Sequence, residues 1–196
     1  MIHEPMTLAT DYLLAAVSGV AGVLAFRSRA GHHCREFWAI ALAALALAAA
    51  VGGTHHGFAL QALWKPTVFI AGAASAAMVA GSAFATTRGV WRTGLMAFAA
   101  LKLAAFWLWA WHDARFIWVV ADSGIAFALV AALHAVRRDA ASGWVLAGVG
   151  LSLVAAGAQA SGFDLHRHFN HNDLYHVIQI VAIVAFYRGV RRMSDR

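Results

Sequence analysis

Long apolar blocks separated by short polar stretches run along the sequence. There are seven of them, over residues 8–26, 37–60, 68–86, 90–111, 116–136, 143–160 and 174–190. A bilayer core about 30 Å thick requires roughly 20 apolar residues for each α-helix that spans it, and every block comes close to that length. The pattern therefore predicts an all-α fold, an integral membrane bundle of seven transmembrane helices.

The composition supports a membrane protein without a soluble domain. The chain has 196 residues, of which 62% are hydrophobic and only 12% charged, and its mean hydropathy is +0.67. Seven spans of roughly 20 residues occupy about 140 residues and leave only short loops. We therefore expect residues 1–196 to form one seven-helix transmembrane domain.

Basic residues indicate how the bundle is oriented. When alternate loops are assigned to one side, most arginines fall on that side: Arg27, Arg29, Arg35, Arg88, Arg92, Arg137, Arg138, Arg188, Arg191, Arg192 and Arg196. Lys65, Arg115 and Arg167 fall on the other side. Because cytoplasmic loops are rich in Lys and Arg, this predicts an outer N-terminus and a cytoplasmic C-terminus. We expect the protein in a cell membrane, and we favour the bacterial inner membrane. The scattered basic residues do not indicate nucleic-acid binding.

Histidines are concentrated on the predicted outer side, where they occupy helix ends and loops: His3, His55, His56, His112, His166, His168, His171 and His176. Taken singly, each is explained by interfacial polarity. Taken together they suggest a metal site, because neutral imidazoles are common zinc ligands and an open zinc position can activate water. Neighbouring helical residues point about 100° apart, so we favour His56 over His55 as the one that faces the bundle centre.

The seventh block supplies further candidates. His176 and Gln179 lie inside an apolar run, where an unpaired polar group is costly. His171 does not share a helical face with His176, so it joins a common site only if it precedes the helix. Asn172 or Asp173 as the N-cap would allow that. The predicted metal ligands are thus His56, His171 and His176, with His55 as a weaker donor and with Asn172, Asp173 and Gln179 surrounding them.

Two charged residues lie within predicted spans, Lys102 in the fourth and Asp122 in the fifth. One interpretation is a mutual ion pair between adjacent antiparallel helices. The other makes Asp122 a metal ligand or general base and leaves Lys102 to lipid headgroups. The sequence leaves both interpretations open.

The stretches GGTHHGF and HNDLYH resemble the superfamily of seven-helix membrane hydrolases that includes alkaline ceramidases and adiponectin-receptor-like proteins. This resemblance implies a zinc site in which His56 and His176 are ligands, with His171 and Asp122 substituting for the superfamily's remaining histidine and aspartate. The chain departs from that pattern at Gly52 and Asn172, where the superfamily has serine and histidine. The stretch NHNDLYHVIQ also resembles an uncharacterised bacterial family of small membrane proteins.

Three functions follow as hypotheses. The first is a zinc-dependent hydrolase of an amide or ester bond in a membrane lipid, with Asp122 as the catalytic residue that orients or deprotonates water. The second is a b-type haem protein with His56 and His176 as axial ligands. The third is a binding or sensing module without chemistry, whose outer polar cluster recognises a headgroup or a proton.

Overall fold

The computed structural model describes residues 2–196, which form seven long α-helices with short connections. These are α1 (Pro5–Arg27), α2 (His33–Phe58), α3 (Trp64–Thr86), α4 (Gly89–His112), α5 (Phe116–Arg137), α6 (Ser142–Ala160) and α7 (His171–Val190). A short 3₁₀ turn over Gln61–Leu63 leads directly into α3. Each helix is long and apolar enough to cross a membrane, which confirms the predicted all-α, seven-span fold.

Helix α2 begins earlier than its apolar block because the C-terminal tail caps it. The helix starts at His33 rather than at residue 37. The two carboxylate oxygens of Asp195 accept hydrogen bonds from the backbone N–H groups of His33, at 2.9 Å, and Cys34, at 2.8 Å. The first backbone N–H groups of a helix have no partner within it, so a carboxylate at this position stabilises the helix start.

Helix α7 also begins earlier than its apolar block, and here the sequence-based assignment of the cap is wrong. The N-cap is Asn170, not Asn172 or Asp173. The Asn170 side chain accepts from the backbone N–H groups of Asn172 and Asp173, while the Asp173 carboxylate accepts from the Asn170 N–H at 2.8 Å. This reciprocal capping box places His171 inside the helix as its first residue.

Six of the seven helices form a closed ring. Going around it, α1 contacts α2, α2 contacts α3, α3 contacts α5, α5 contacts α6, α6 contacts α7, and α7 returns to α1. Helix α4 packs against the outside of the ring, on α3 and α5. Among the described residues, α3 makes no close contact with α6 or α7. The ring therefore leaves space at its centre.

Small residues let the helices of the ring approach closely. A Cβ atom at Gly81 of α3 would lie 2.5 Å from a ring atom of Trp38, which is fully buried. A Cβ atom at Gly148 of α6 would similarly lie 2.6 Å from the ring of Phe186. Large aromatic side chains thus occupy the room that the missing side chains leave, as in other close helix contacts within membranes.

The first helix begins at one end of the bundle, and the C-terminal tail lies at the other. Helices α1, α3, α5 and α7 begin at one end, which we call the N-terminal face, and α2, α4 and α6 end there. The C-terminal tail lies at the opposite end, where the N–H of Arg196 donates to the carbonyl oxygen of Phe84 at 3.0 Å. That the N-terminal face is outside the cell stays a prediction.

Candidate functional site

A cavity of about 320 Å³ lies within the ring of helices. Every helix of the ring contributes to its lining, and α4 does not. The polar groups in the lining include side chains from α1, α2, α6 and α7, namely Asp11, His56, Gln159, Asn172, Tyr175, His176 and Gln179. The cavity is therefore a place where polar residues from four helices meet.

The cavity changes character with depth. His56, Trp64, Phe116 and Asn172 line it within about one helical turn of the N-terminal face. The lining reaches Leu45, which is 13 residues from the end of α2 at Phe58 and so about 20 Å below that face at 1.5 Å per residue. Apart from the hydroxyl of Ser18, the deep wall is apolar and consists of side chains such as Leu14, Leu45, Ala48 and Ile183. The cavity has a polar end and an apolar end.

At the polar end, Asp11 of α1 and His176 of α7 form a buried pair. The Oδ1 atom of Asp11 lies 3.1 Å from the Nε2 atom of His176. The two residues are only 4% and 7% exposed, respectively. Gly53 makes room for the pair, because a Cβ atom there would lie 2.6 Å from the Cβ atom of Asp11. Burial of both groups requires that they satisfy each other.

The other nitrogen of His176 is also engaged. Its Nδ1 atom lies 3.0 Å from the hydroxyl of Thr10, which is 3.3 Å from the carboxylate of Asp173 and 3.1 Å from the carbonyl oxygen of Thr7. Because Asp173 belongs to the capping box of α7, the N-terminal cap and the buried pair form one hydrogen-bonded chain. Helices α1 and α7 are thereby held together at the polar end of the cavity.

The Asp11–His176 contact needs a proton between the two atoms. That proton resides either on Nε2 of His176, facing a carboxylate, or on Asp11, facing a neutral imidazole. The second carboxylate oxygen of Asp11 is buried and has no hydrogen-bond partner among the described residues. A buried polar oxygen without a partner is costly and therefore needs an explanation. Asp11 thus places at the cavity wall a carboxyl group with one oxygen that no described protein group satisfies.

His56 lies beside this pair and His55 does not. The His56 ring lines the cavity, and its Nδ1 atom is 3.7 Å from a carboxylate oxygen of Glu4. The His55 ring packs on Trp64, and its Nδ1 atom lies 3.0 Å from the carbonyl oxygen of Leu60. Of the two neighbouring histidines, only His56 can contact a molecule in the cavity.

His171 lies outside this cluster. Its backbone N–H donates to Oδ1 of Asp164 at 3.0 Å, and its ring Nδ1 lies 2.9 Å from the same oxygen. Hydrogen bonds from the side chain and backbone of His171 lower the pKa of Asp164. The structure therefore uses His171 to fix the loop between α6 and α7, whereas the sequence predicts it in a metal site.

Asp122 is likewise absent from the cavity lining. Its carboxylate is paired with the ammonium group of Lys102 and accepts a hydrogen bond from the hydroxyl of Ser75. The Nζ atom of Lys102 also donates to Ser75 at 2.8 Å. Of the two interpretations that the sequence left open, the structure shows the ion pair. This pair connects α4 to the ring through α3 and α5.

The other three predicted residues lie on or near the cavity. Asn172 lines it and accepts a hydrogen bond from the amide of Gln159 at 3.0 Å. Gln179 also lines it and donates to the hydroxyl of Ser152 at 3.1 Å. Asp173 lies behind the wall as part of the helix cap. Two amide side chains can thus present hydrogen-bonding groups to a bound molecule.

Comparison with known proteins identifies a family. The family of unknown function DUF6962 matches residues 6–195. The chain belongs to this family. The match covers nearly the whole chain, including Asp11, His56 and His176. No curated protein matches the chain, and no solved structure does. Membership of DUF6962 assigns no activity, so any function must be argued from the site.

The predicted zinc ligands do not surround a common point. Among residues 2–196 of this DUF6962 member, no three His, Cys, Asp or Glu side chains are arranged to hold a metal ion. His171 is tied to Asp164, and both ring nitrogens of His176 face protein groups. The zinc site stays a prediction from the sequence that this arrangement of side chains does not support.

Sequence reasoning missed Asp11 and Thr10. Asp11 lies within the apolar block over residues 8–26, so it carries the same signal as Asp122 did, an ionisable residue inside a predicted span. Its partner could not be named from the sequence, because the contact between α1 and α7 arises only when the ring closes. Thr10 gave no signal, since a threonine in an apolar helix can satisfy its own hydroxyl with a backbone carbonyl.

Proposed function

We propose that this protein binds a single-chain amphipathic molecule of the membrane in the central cavity. The observation that supports the proposal is the division of the cavity into two ends. Imidazole, carboxyl and amide groups gather toward the N-terminal face, and the wall beneath them, apart from the hydroxyl of Ser18, is apolar to a depth of about 20 Å. A ligand with a polar end and an apolar body matches that arrangement, as in other pockets where a few polar groups fix orientation.

The charge of the lining indicates the chemistry of the polar end. Among the described residues, the cavity lining contains no lysine and no arginine. Phosphate groups are usually held by charge-assisted hydrogen bonds from such residues. Asp11 would moreover repel an anion when it is ionised. We therefore expect a neutral polar group, a hydroxyl or an amide, hydrogen-bonded by His56, Asn172 or Asp11.

Ligation of a metal or a haem is not part of this proposal. His176 is the most buried histidine of the cavity lining, yet its two nitrogens face Thr10 and Asp11 at 3.0 Å and 3.1 Å. Binding of zinc or haem iron by His176 would require one of these contacts to break. The geometry favours His176 as a group that holds Asp11 in place.

A binding experiment tests the proposal. Purified protein in mild detergent is titrated with a neutral 1-monoacylglycerol and, in parallel, with a lysophosphatidic acid of the same chain length. Binding is followed by isothermal titration calorimetry and by the shift in thermal unfolding. A bound ligand at 100 times its Kd should stabilise the folded state by about 2.7 kcal/mol. We expect the neutral lipid to bind and the anionic lipid to bind at least tenfold more weakly.

Matched variants locate the binding site. His56→Ala should weaken binding of the neutral lipid several-fold, because a hydrogen bond contributes about 0.5–1.5 kcal/mol. His112→Ala is the control, since His112 lies at the same face but is exposed and does not line the cavity. Equal affinity of both variants and the wild type would contradict the proposed site. Equal binding of the two lipids would contradict the proposed polar-end chemistry.

A second candidate function is hydrolysis of an amide or ester bond in the bound molecule. The specific observation that favours it is the buried, unpartnered oxygen of Asp11, a residue that lines the cavity. The step requires a water molecule to reach this buried oxygen. As a carboxylate, Asp11 could then accept a proton from that water while the water oxygen bonds to the carbonyl carbon. The proton would then pass to the leaving nitrogen or oxygen as its bond to that carbon breaks. His176 would position Asp11 throughout.

Asp11→Asn separates binding from hydrolysis. The amide is nearly isosteric with the carboxyl group but cannot act as a base. If the protein hydrolyses the monoacylglycerol or an N-acyl amide, this variant should lose at least about 100-fold in kcat with little change in lipid binding. Retention of hydrolysis in Asp11→Asn would exclude Asp11 as the base. Absence of turnover in the wild type would leave binding as the function.

A further inference from the structure

A second cavity of about 160 Å³ adjoins the central one. It is lined by residues of α2, α3, α5, α6 and α7. Phe116, Val119, Tyr175 and Gln179 line both cavities, so the two spaces meet along a common wall. No residue of α1 lines this second cavity, which places it on the opposite side of the ring from Asp11.

The second cavity is mainly apolar and reaches about the same depth below the N-terminal face as the central one. Its lining includes Met78, Phe127 and Leu153. Met78 is 14 residues from the start of α3 at Trp64, which corresponds to a depth of about 21 Å. Gly124 of α5 also lines this cavity, and a Cβ atom added there would meet no other atom within 4 Å. The space beside Gly124 is therefore unfilled by the protein.

We infer that this second cavity is the subsite for the apolar chain of the bound amphiphile, an inference that rests on the proposed function. The occupant is a single unbranched hydrocarbon chain, because the space is small, about 160 Å³, and shares a wall with the polar cavity. The polar end remains near His56 and Asp11, and the chain passes Tyr175 and ends near Met78. Cavities that remain empty destabilise a protein, whereas apolar cavities of sufficient size bind apolar molecules.

The chain-length dependence of binding tests this subsite. Each methylene group that enters an apolar site should tighten binding about fourfold. In the wild type, affinity for 1-monoacylglycerols should therefore rise with chain length from octanoyl to dodecanoyl and then level off once the chain reaches Met78. Gly124→Leu places a side chain into the subsite and should shift the preferred length toward octanoyl, with at least a tenfold loss for the longest chain that binds.

Two further variants make the test specific. Gly150→Leu is the matched control, because Gly150 lies in the middle of α6, is exposed, has open space for a Cβ atom and lines neither cavity. It should leave the chain-length preference unchanged. Met78→Ala enlarges the end of the subsite and should extend the preference toward longer chains, the opposite direction to Gly124→Leu.

The outcomes separate this inference from the proposed function. Opposite shifts for Gly124→Leu and Met78→Ala would support the subsite. If the wild type binds the neutral lipid but both variants, folded by circular dichroism, keep the wild-type length preference, the subsite is wrong and the proposed function stands. If Gly124→Leu fails to fold, Met78→Ala alone decides the matter. If the wild type binds no monoacylglycerol of any length, both proposals fail.

Discussion

His176 of α7 and Asp11 of α1 meet 3.1 Å apart at the polar end of the central cavity, and this contact closes the ring of helices where the first and last helices come together. Both side chains are buried, and Thr10 fixes the imidazole from its other nitrogen. Asp11 and His176 thus line the cavity and also join two distant parts of the chain. Replacement of His176 should therefore lower the stability of the fold.

Removal of His176 should destabilise the fold more when Asp11 is present than when it is absent. His176→Leu leaves a buried carboxyl group without a partner, and leaving a buried polar group unsatisfied in this way costs about 1–3 kcal/mol or more. Asp11→Asn should cost only about 1 kcal/mol, because the amide can still hydrogen-bond to the imidazole. In the Asp11→Asn background, His176→Leu should therefore cost clearly less. A double-mutant cycle of unfolding free energies in detergent measures the difference, and additive effects would contradict a coupled pair.

Lys102 and Asp122 should behave as a structural pair. Neither residue lines a cavity, although Ser75, which bonds to both, lines the second one. Both side chains are about 95% buried, and Lys102 is the group through which the outer helix α4 reaches Asp122 and Ser75. Lys102→Met should destabilise the protein by about 3 kcal/mol, because it leaves the buried carboxylate of Asp122 without its partner. The double variant Lys102→Met/Asp122→Asn should recover most of that loss.

The same variants distinguish a structural pair from a catalytic one. Neither Lys102 nor Asp122 lines either cavity, so affinity for the monoacylglycerol should be unchanged in the double variant. The measurement is a titration of the folded double variant beside the wild type. Loss of binding or of turnover in a protein that keeps its wild-type unfolding temperature would indicate that Asp122 contributes to the functional site.

Hydropathy and helical geometry were sufficient to predict the seven spans, since a transmembrane helix satisfies its backbone within one segment and leaves a local signal. The preference for His56 over His55 also came from local geometry, the angle between neighbouring helical residues. The Asp11–His176 pair could not be predicted in this way, because it depends on which helices are neighbours in the ring. The position of His171 depended on a cap one residue earlier, Asn170, which hydropathy does not detect.

The contact of Asp195 with the start of α2 should make stability depend on pH. Burial alone would raise the pKa of Asp195, but hydrogen bonds from Cys34 and His33 outweigh that effect and lower the pKa to about 2. A carboxyl group whose pKa is lower in the folded state stabilises the fold above its ordinary pKa of 3.8. That contribution is lost as the pH falls from about 4 through about 2.

Asp195→Asn isolates this contribution. At pH 7 the variant should unfold more readily than the wild type, and the difference should shrink as the pH approaches 2. Unfolding temperatures measured in detergent across this range provide the test. A constant difference between Asp195→Asn and the wild type at all pH values would contradict the assigned cap.

Chelation should leave lipid binding intact. The candidate ligands His56, His171 and His176 are engaged with Glu4, Asp164 and Asp11, respectively, rather than with one another. Protein purified without affinity-column metals and treated with a chelator should therefore contain far less than one zinc ion per chain, measured by mass spectrometry, and bind monoacylglycerol with unchanged affinity. Near-stoichiometric zinc that resists the chelator but disappears in His176→Ala would overturn this expectation. It would mean that the histidines rearrange around a metal. Hydrolysis by zinc-bound water would then replace hydrolysis with Asp11 as the base as the catalytic hypothesis.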